Sequence, residues 1–227
     1  MISAMGVEKE SSRFEEIVHA GALVLAHWGL HRTKIQDVAK KANVAAGTVY
    51  LYADSKESLF DLALRYGMGQ DLEPLLKGGL PYSATRRETF EWVSQVGKLN
   101  KLLPDFEEPQ LFQLPLETLF GNLFDFLSEH KYAIRIVERS AHEWEELAAL
   151  FFEQIRDPVV RRIGKRIAFE TPELSPDEIE ALARLVGGSI AFSAVHRFFE
   201  GGPPDTTEKS VYRKVVVESI VRMIERG

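Results

Sequence analysis

Apolar residues in the first part of the chain recur three and four positions apart. Phe14, Ile17, Val18, Ala22, Leu25 and Trp28 fall on one helical face, which predicts a helix over residues 12–28. Ser11 or Ser12 can cap it, Glu15 and Glu16 occupy its first turn, and Gly29 ends it in the left-handed role. Thr33 is the expected N-cap of a second helix, whose stripe Ile35, Val38, Ala39, Ala42 runs at i, i+3, i+4, i+7. Asn43 stops it, because Asn tolerates the left-handed conformation. A short third helix is expected over residues 45–52. Asp54-Ser55-Lys56-Glu57 then reads as the start of a fourth, carrying Leu59, Leu62, Ala63 and Tyr66.

Glu73-Pro74, Gly78-Gly79 and Leu80-Pro81 punctuate the chain next and suggest a soft boundary after residue 66, with the fourth helix as a connector. Further helical stretches are expected over residues 85–103, 115–128, 132–155, 158–169, 176–200 and 206–226. Their breaks carry Pro104, Pro109, Pro158, Pro172 and Gly201-Gly202-Pro203-Pro204. Val, Ile and Thr form no alternating runs, and Asn-Gly or Asp-Gly hairpin signals are missing. The predicted class is all-α: a three-helix domain over residues 12–66, followed by a helical domain over residues 67–227.

Composition narrows the function. The apolar and charged fractions, 45% and 27%, are those of a globular protein. No apolar run approaches the roughly 18 residues that a spanning helix needs, so no membrane partner is expected. Cysteine is absent, which excludes disulfides and thiolate metal sites and fits a reducing cytoplasm. The net charge of −6 argues at first against nucleic acid. However, Arg32, Lys34, Lys40, Lys41 and Lys56 face only Asp37 and Asp54 between His31 and Lys56, and from residue 67 onward 20 basic residues oppose 26 acidic ones. A weakly basic module on an acidic body can still dock on phosphate.

Two short helices joined by a tight turn, with a third packed behind them, make a helix-turn-helix. The second helix of the pair, residues 45–52, would enter the major groove. Ala45, Ala46 and Gly47 are small enough for a close backbone approach. Thr48 and Tyr52 lie at i and i+4 with Tyr50 beside them, offering hydroxyls to phosphate. Val49 and Ala53 face inward. Lys56 and Thr33 each stand at a helix start, where free N–H groups favour anions.

The run from Thr33 through Ala45-Ala46-Gly47-Thr48-Val49-Tyr50-Leu51-Tyr52, followed by Lys56-Glu57-Ser58-Leu59-Phe60, resembles the helix-turn-helix of the tetracycline-repressor (TetR) family. The resemblance covers residues 14–66. It implies that Thr33, Thr48, Tyr50, Tyr52 and Lys56 hold phosphates or base edges, with Ala45, Ala46 and Gly47 deepest in the groove. Three positions depart from the family pattern. Asn43 replaces a turn glycine and Ala45 replaces a serine cap. Ala53 replaces a bulky aromatic and leaves a void for Trp28 or Phe60 to fill. The recognition helix has no Arg, Lys, Asn or Gln, the side chains that pair bidentately with G or A. Specificity is therefore expected from thymine-methyl contacts of Ala46 and Leu51, from Tyr50 and from DNA shape, with Arg32 or Lys34 as a further base contact.

Twelve of the 14 Phe lie beyond residue 67, which suits an apolar ligand pocket. Trp92, Phe112, Phe120, Phe124 and Phe192 are its candidate walls. Arg135, Glu138, Arg139 and His142 share one helical face and could hold a polar head group, or simply form a solvated, salt-bridged face. His196 is a weaker candidate. Residues 182–194 and 211–223 carry extensive apolar faces, and the resemblance implies that these last two helices form a four-helix bundle with a symmetry mate. Sequence signatures of catalysis, metal binding or a cofactor are lacking, so an enzyme is not expected. The expected function is a homodimeric repressor on a palindromic double-stranded operator, released by a small effector, with coupling through residues 61–70. A helical small-molecule-binding protein with a vestigial helix-turn-helix, or a ligand-independent DNA-binding protein, remain alternatives.

Overall fold

The computed structural model describes residues 4–200 and 206–225, and the Gly201-Gly202-Pro203-Pro204 break lies outside them. The structure is all-α among the described residues, apart from one isolated bridge between Ala53 and Tyr82. The helices are α1 (Ala4–Arg32), α2 (Ile35–Lys41), α3 (Ala46–Tyr50), α4 (Lys56–Gly67), α5 (Glu73–Lys77), α6 (Arg86–Val96), α7 (Leu99–Leu102) and α8 (Gln110–Gln113). They continue with α9 (Leu116–Glu129), α10 (Lys131–Ala141), α11 (Glu145–Ala149), α12 (Asp157–Glu170), α13 (Pro176–Ala191), α14 (Arg197–Phe199) and α15 (Thr206–Glu225). The stretches expected over 132–155 and 176–200 are each interrupted by a π-helical segment, Leu150–Arg156 and Phe192–His196.

The chain divides into two compact units. One comprises residues 1–93 and 132–148, the other residues 94–131 and 149–227. In the first unit, Phe14, Ile17 and Val18 of α1 pack with Ile35, Val38 and Ala39 of α2, Val49 of α3, and Leu59 and Leu62 of α4. Helix α1 begins at Ala4, so Ser11 and Ser12 lie within it and do not cap it. At Gly29 the backbone turns to φ 76°, ψ 176°, a region open to glycine alone, and the helix breaks there.

Helix α10 joins this unit because two glycines let its backbone in. A Cβ on Gly29 would lie 2.7 Å from the Arg139 carbonyl oxygen, and one on Gly67 would lie 2.5 Å from the Ala133 nitrogen. Leu30 N–H donates to Ser140 Oγ (3.1 Å) and His31 N–H to Glu143 Oε2 (3.0 Å). Phe60 stacks on Trp144 at 6.0 Å between ring centroids.

In the second unit α9 is central, packing on α13, on the Phe192–His196 segment and on α15. Its buried face is Leu116, Leu119, Phe120, Leu123 and Phe124. Helix α12 packs on α13 and α8. Its Arg166, though buried, is fully engaged: the guanidinium donates to the carbonyls of Leu111 and Leu114 (both 2.7 Å) and pairs with Glu170. Helix α13 opens with a capping box between Ser175 and Glu178, whose hydrogen bonds from the Ser175 side chain and backbone lower the Glu178 pKa.

Candidate nucleic-acid interface

The helix-turn-helix is α2 and α3. The turn between them passes through Asn43 at φ 54°, the left-handed position expected of it. Asn43 N–H bonds back to Lys40 O (3.2 Å) and Val44 N–H to Ala39 O (2.9 Å), closing the turn. Val49 (0% exposed) and Ala53 (1%) hold α3 on the core, as the pattern predicts.

The opposite side of α3 is left open. Ala45, its N-cap residue, has extended backbone and no side-chain capping bond. A Cβ on Gly47 would meet nothing within 4 Å, and Tyr50 and Leu51 are 48% and 65% exposed. Ala46 and Thr48 are half-buried between core and surface. A large aromatic and a large aliphatic residue side by side in solvent are costly in an isolated protein, where about 25 cal/mol is lost per Å² of apolar surface left wet. Their placement fits a surface that meets another one.

Two of the expected contacts, Thr33 and Tyr52, need restating. Thr33 is buried (2% exposed), and its hydroxyl and N–H both donate to Gly29 O (2.7 and 3.3 Å). It therefore closes the α1–α2 turn, and its side chain is not placed to reach phosphate. The N-cap of α2 is Lys34. Tyr52 lies beyond the end of α3, and its half-buried ring packs on Phe14 at 6.0 Å, so it is not on the open face with Thr48. Lys56 does open α4, with Ser55 as N-cap, and its Nζ donates to His31 O at 3.1 Å.

The void expected at Ala53 is not filled by Trp28, which is 48% exposed. Instead residues 80–84 fold back over the end of the motif. Tyr82 N–H donates to Tyr52 O (2.9 Å) and Asp54 N–H to Tyr82 O (3.0 Å). Ala84 N–H donates to Ser58 Oγ (3.0 Å), and Tyr82 Oη donates to Asp61 (2.6 Å). Burial, then the bond to Asp61, raises the Tyr82 pKa well above the ordinary phenol value. Hydrogen bonds from Ser58 and Ser83 lower the pKa of Asp54. The Pro and Gly around this strap had read only as a boundary, and no side-chain periodicity marks a single-residue bridge.

The candidate ligand residues fall in both units. In the first, Trp92 lies beneath the Arg65 guanidinium at 4.4 Å, and Arg135 pairs with Glu138 at 3.2 Å. Helix α10 buries Ala133, Ile136, Val137, Ser140 and Ala141, and its charged stripe divides: the Arg135 and Glu138 side chains are only 11% and 21% exposed, while Arg139 and His142 stand in solvent. In the second unit, Phe120 and Phe124 belong to the core of α9, Phe112 stacks on Phe169 (5.4 Å), and His196 lies near Phe192 (6.4 Å). Phe192, expected as a pocket wall, is 47% exposed. Metal-binding groups of three or more His, Asp or Glu are absent among the described residues. No described helix is long and apolar enough to cross a membrane.

The turn, the open face of α3 and the capped α4 together define a helix-turn-helix. Comparison with known proteins gives its kind: residues 17–63 match the family described as bacterial regulatory proteins, tetR family. Over those residues the chain is similar to that family. The chain is 33% identical over 87 residues to the fatty acid metabolism regulator protein of Bacillus subtilis (strain 168), covering 38% of this chain and 44% of that one. It is 35% identical over 80 residues to the HTH-type transcriptional repressor KstR2 of Rhodococcus jostii (strain RHA1), covering 34% and 39%. The matches thus span less than half the length of these curated relatives. A solved structure of a TetR-like transcriptional regulator from Rhodococcus sp. RHA1 aligns with a TM-score of 0.45 at 16% identity, over 92% of this chain and 95% of that one.

Proposed function

We propose that the protein is a ligand-responsive transcriptional regulator that binds a palindromic operator as a homodimer and represses until a small apolar or amphipathic effector releases it. The observation that carries this reading is the open face of α3. There Gly47, Tyr50 and Leu51 stand clear of their own chain in a domain of the tetR family. Ala45, Ala46 and Gly47 admit the groove wall, Thr48 and Tyr50 supply hydroxyls, and Lys56 supplies a cation at a helix start. The reading places the protein in the cytoplasm and assigns it no enzymatic step.

Support for a dimer comes from α13 and α15, which leave Leu185, Val211 and Val215 each more than half exposed, with Met223 at 36%. A twofold pairing through these helices would set two recognition helices about 34–36 Å apart, one turn of DNA. The relative named for fatty acid metabolism motivates an acyl-chain effector. An effector acts only if it binds the operator-competent and released states with unequal affinity.

The test is a selection of random duplex DNA on the purified chain at stated salt, with Tyr50→Ala beside it. An enriched palindrome that the variant no longer retains is the expected result. Enrichment untouched by the substitution, or none at all, would reject α3 as the reader.

A further inference from the structure

Beyond Gly29 the helix restarts for one turn, and the first N–H groups of a restarted helix lack partners in their own segment. Here the partners come from a segment more than a hundred residues away. Ser140 Oγ accepts the Leu30 N–H (3.1 Å) and Glu143 Oε2 accepts the His31 N–H (3.0 Å). The other side of His31 faces the DNA-binding machinery, because its carbonyl accepts from Lys56 Nζ at 3.1 Å. One residue is thus held on its amide by a carboxylate from beyond the end of α10 and on its carbonyl by the lysine that opens α4. The backbone approach at Gly29, where a Cβ would lie 2.7 Å from Arg139 O, fixes the two segments against each other.

We infer that Ser140 and Glu143 are positioning residues for operator binding. They cap the turn after Gly29 in trans and so set the carbonyl that anchors Lys56 at its phosphate-binding place. The inference rests on the DNA-binding reading above. It makes α10 a second route, besides α4, by which a rearrangement elsewhere in the chain would reach the helix-turn-helix.

Charge separates this proposal from simple electrostatics. Glu143 is exposed and negative, so removing its charge should by itself tighten binding to a polyanion. Positioning predicts the reverse for Glu143→Ala, and near-normal binding for Glu143→Gln, which keeps an acceptor oxygen. The experiment measures binding of the enriched duplex by fluorescence anisotropy across a salt series. Wild type, Glu143→Ala, Glu143→Gln, Lys56→Gln and the Lys56→Gln/Glu143→Ala double variant are compared, and melting confirms that each is folded. Glu143→Ala should bind roughly five- to tenfold more weakly, the scale of one lost hydrogen bond of ordinary strength at an exposed site. Its salt slope should flatten by about one per protomer, as in Lys56→Gln. The glutamine variant should stay within about twofold of wild type, and the double variant should be no weaker than Lys56→Gln alone. A Glu143→Ala protein that binds as well as wild type or tighter, or whose loss adds fully to that of Lys56→Gln, overturns the inference while leaving the regulator reading intact. A wild-type chain that enriches no duplex overturns both.

Discussion

Replacing Asp61 by alanine should unfold the first unit far more readily than its size suggests. The Asp61 carboxylate is completely buried, accepting from Arg65 Nε at 2.5 Å and from Tyr82 Oη at 2.6 Å. The Arg65 side chain is 14% exposed, and its other partners are Gln70 Oε1 (3.2 Å) and the Trp92 ring (4.4 Å). Truncating Asp61 leaves a nearly buried guanidinium without its counter-charge and a phenol without its acceptor. Breaking one side of such a pair costs about 3–5 kcal/mol, whereas removing both sides with apolar replacements is far milder. We therefore expect Asp61→Ala to lose roughly 3–5 kcal/mol and Asp61→Leu/Arg65→Met to recover most of it. Trp28, Trp92 and Trp144 all belong to the first unit, so urea unfolding followed by tryptophan fluorescence reports that unit alone. A loss below about 1 kcal/mol, or a double variant as unstable as the single one, would show that the pair is solvent-relaxed and that the strap is not held through Asp61.

Three further outcomes are expected. Gly29→Ala should destabilise the same unit by about 2–4 kcal/mol, from forced backbone strain plus the clash with Arg139 O, and a melting shift within error would refute this. The Tyr82 pKa is raised on folding, so its contribution is fully present below the ordinary phenol value and is lost as pH rises beyond about 10. The stability gap between wild type and Tyr82→Phe, measured by urea titration at stepped pH, should shrink above that point. Ser175→Ala should cost about 1 kcal/mol by removing the capping box of α13. Since the tryptophans lie in the other unit, that loss should be visible in far-ultraviolet circular dichroism and nearly silent in fluorescence.

The first four helices were legible because their signals are local. The stripes of Phe14 to Leu25 and of Ile35 to Ala39 point inward as their spacing requires, Asn43 sits at positive φ, and Val49 and Ala53 anchor α3. The open face of α3 was legible too, since its small and hydroxylated residues make a poor core. Thr33 misled because a threonine before a helix reads as a cap whether its hydroxyl turns forward to the helix or back to Gly29 O. Side-chain sequence carries no mark of the strap at Tyr82 or of the capping by Ser140 and Glu143, which depend on backbone groups of distant segments. The charged stripe of α10 was ambiguous by periodicity alone, because spacing does not tell that Arg135 and Glu138 are largely covered while Arg139 and His142 are exposed. The π-helical segments register an extra residue per turn that no hydrophobic pattern announces.

The division of the chain into interleaved pieces matters during synthesis. The first unit needs residues 132–148, yet residues 94–131 of the second must leave the ribosome before them. At roughly 5–20 residues per second, the helix-turn-helix spends seconds with Gly29 and Gly67 uncovered and the bonds from Leu30 and His31 N–H to residues 140 and 143 unmade. A nascent chain stalled short of residue 148 would thus display the complete helix-turn-helix sequence on an unfinished scaffold, and release of active protein is tied to translation well past the motif itself.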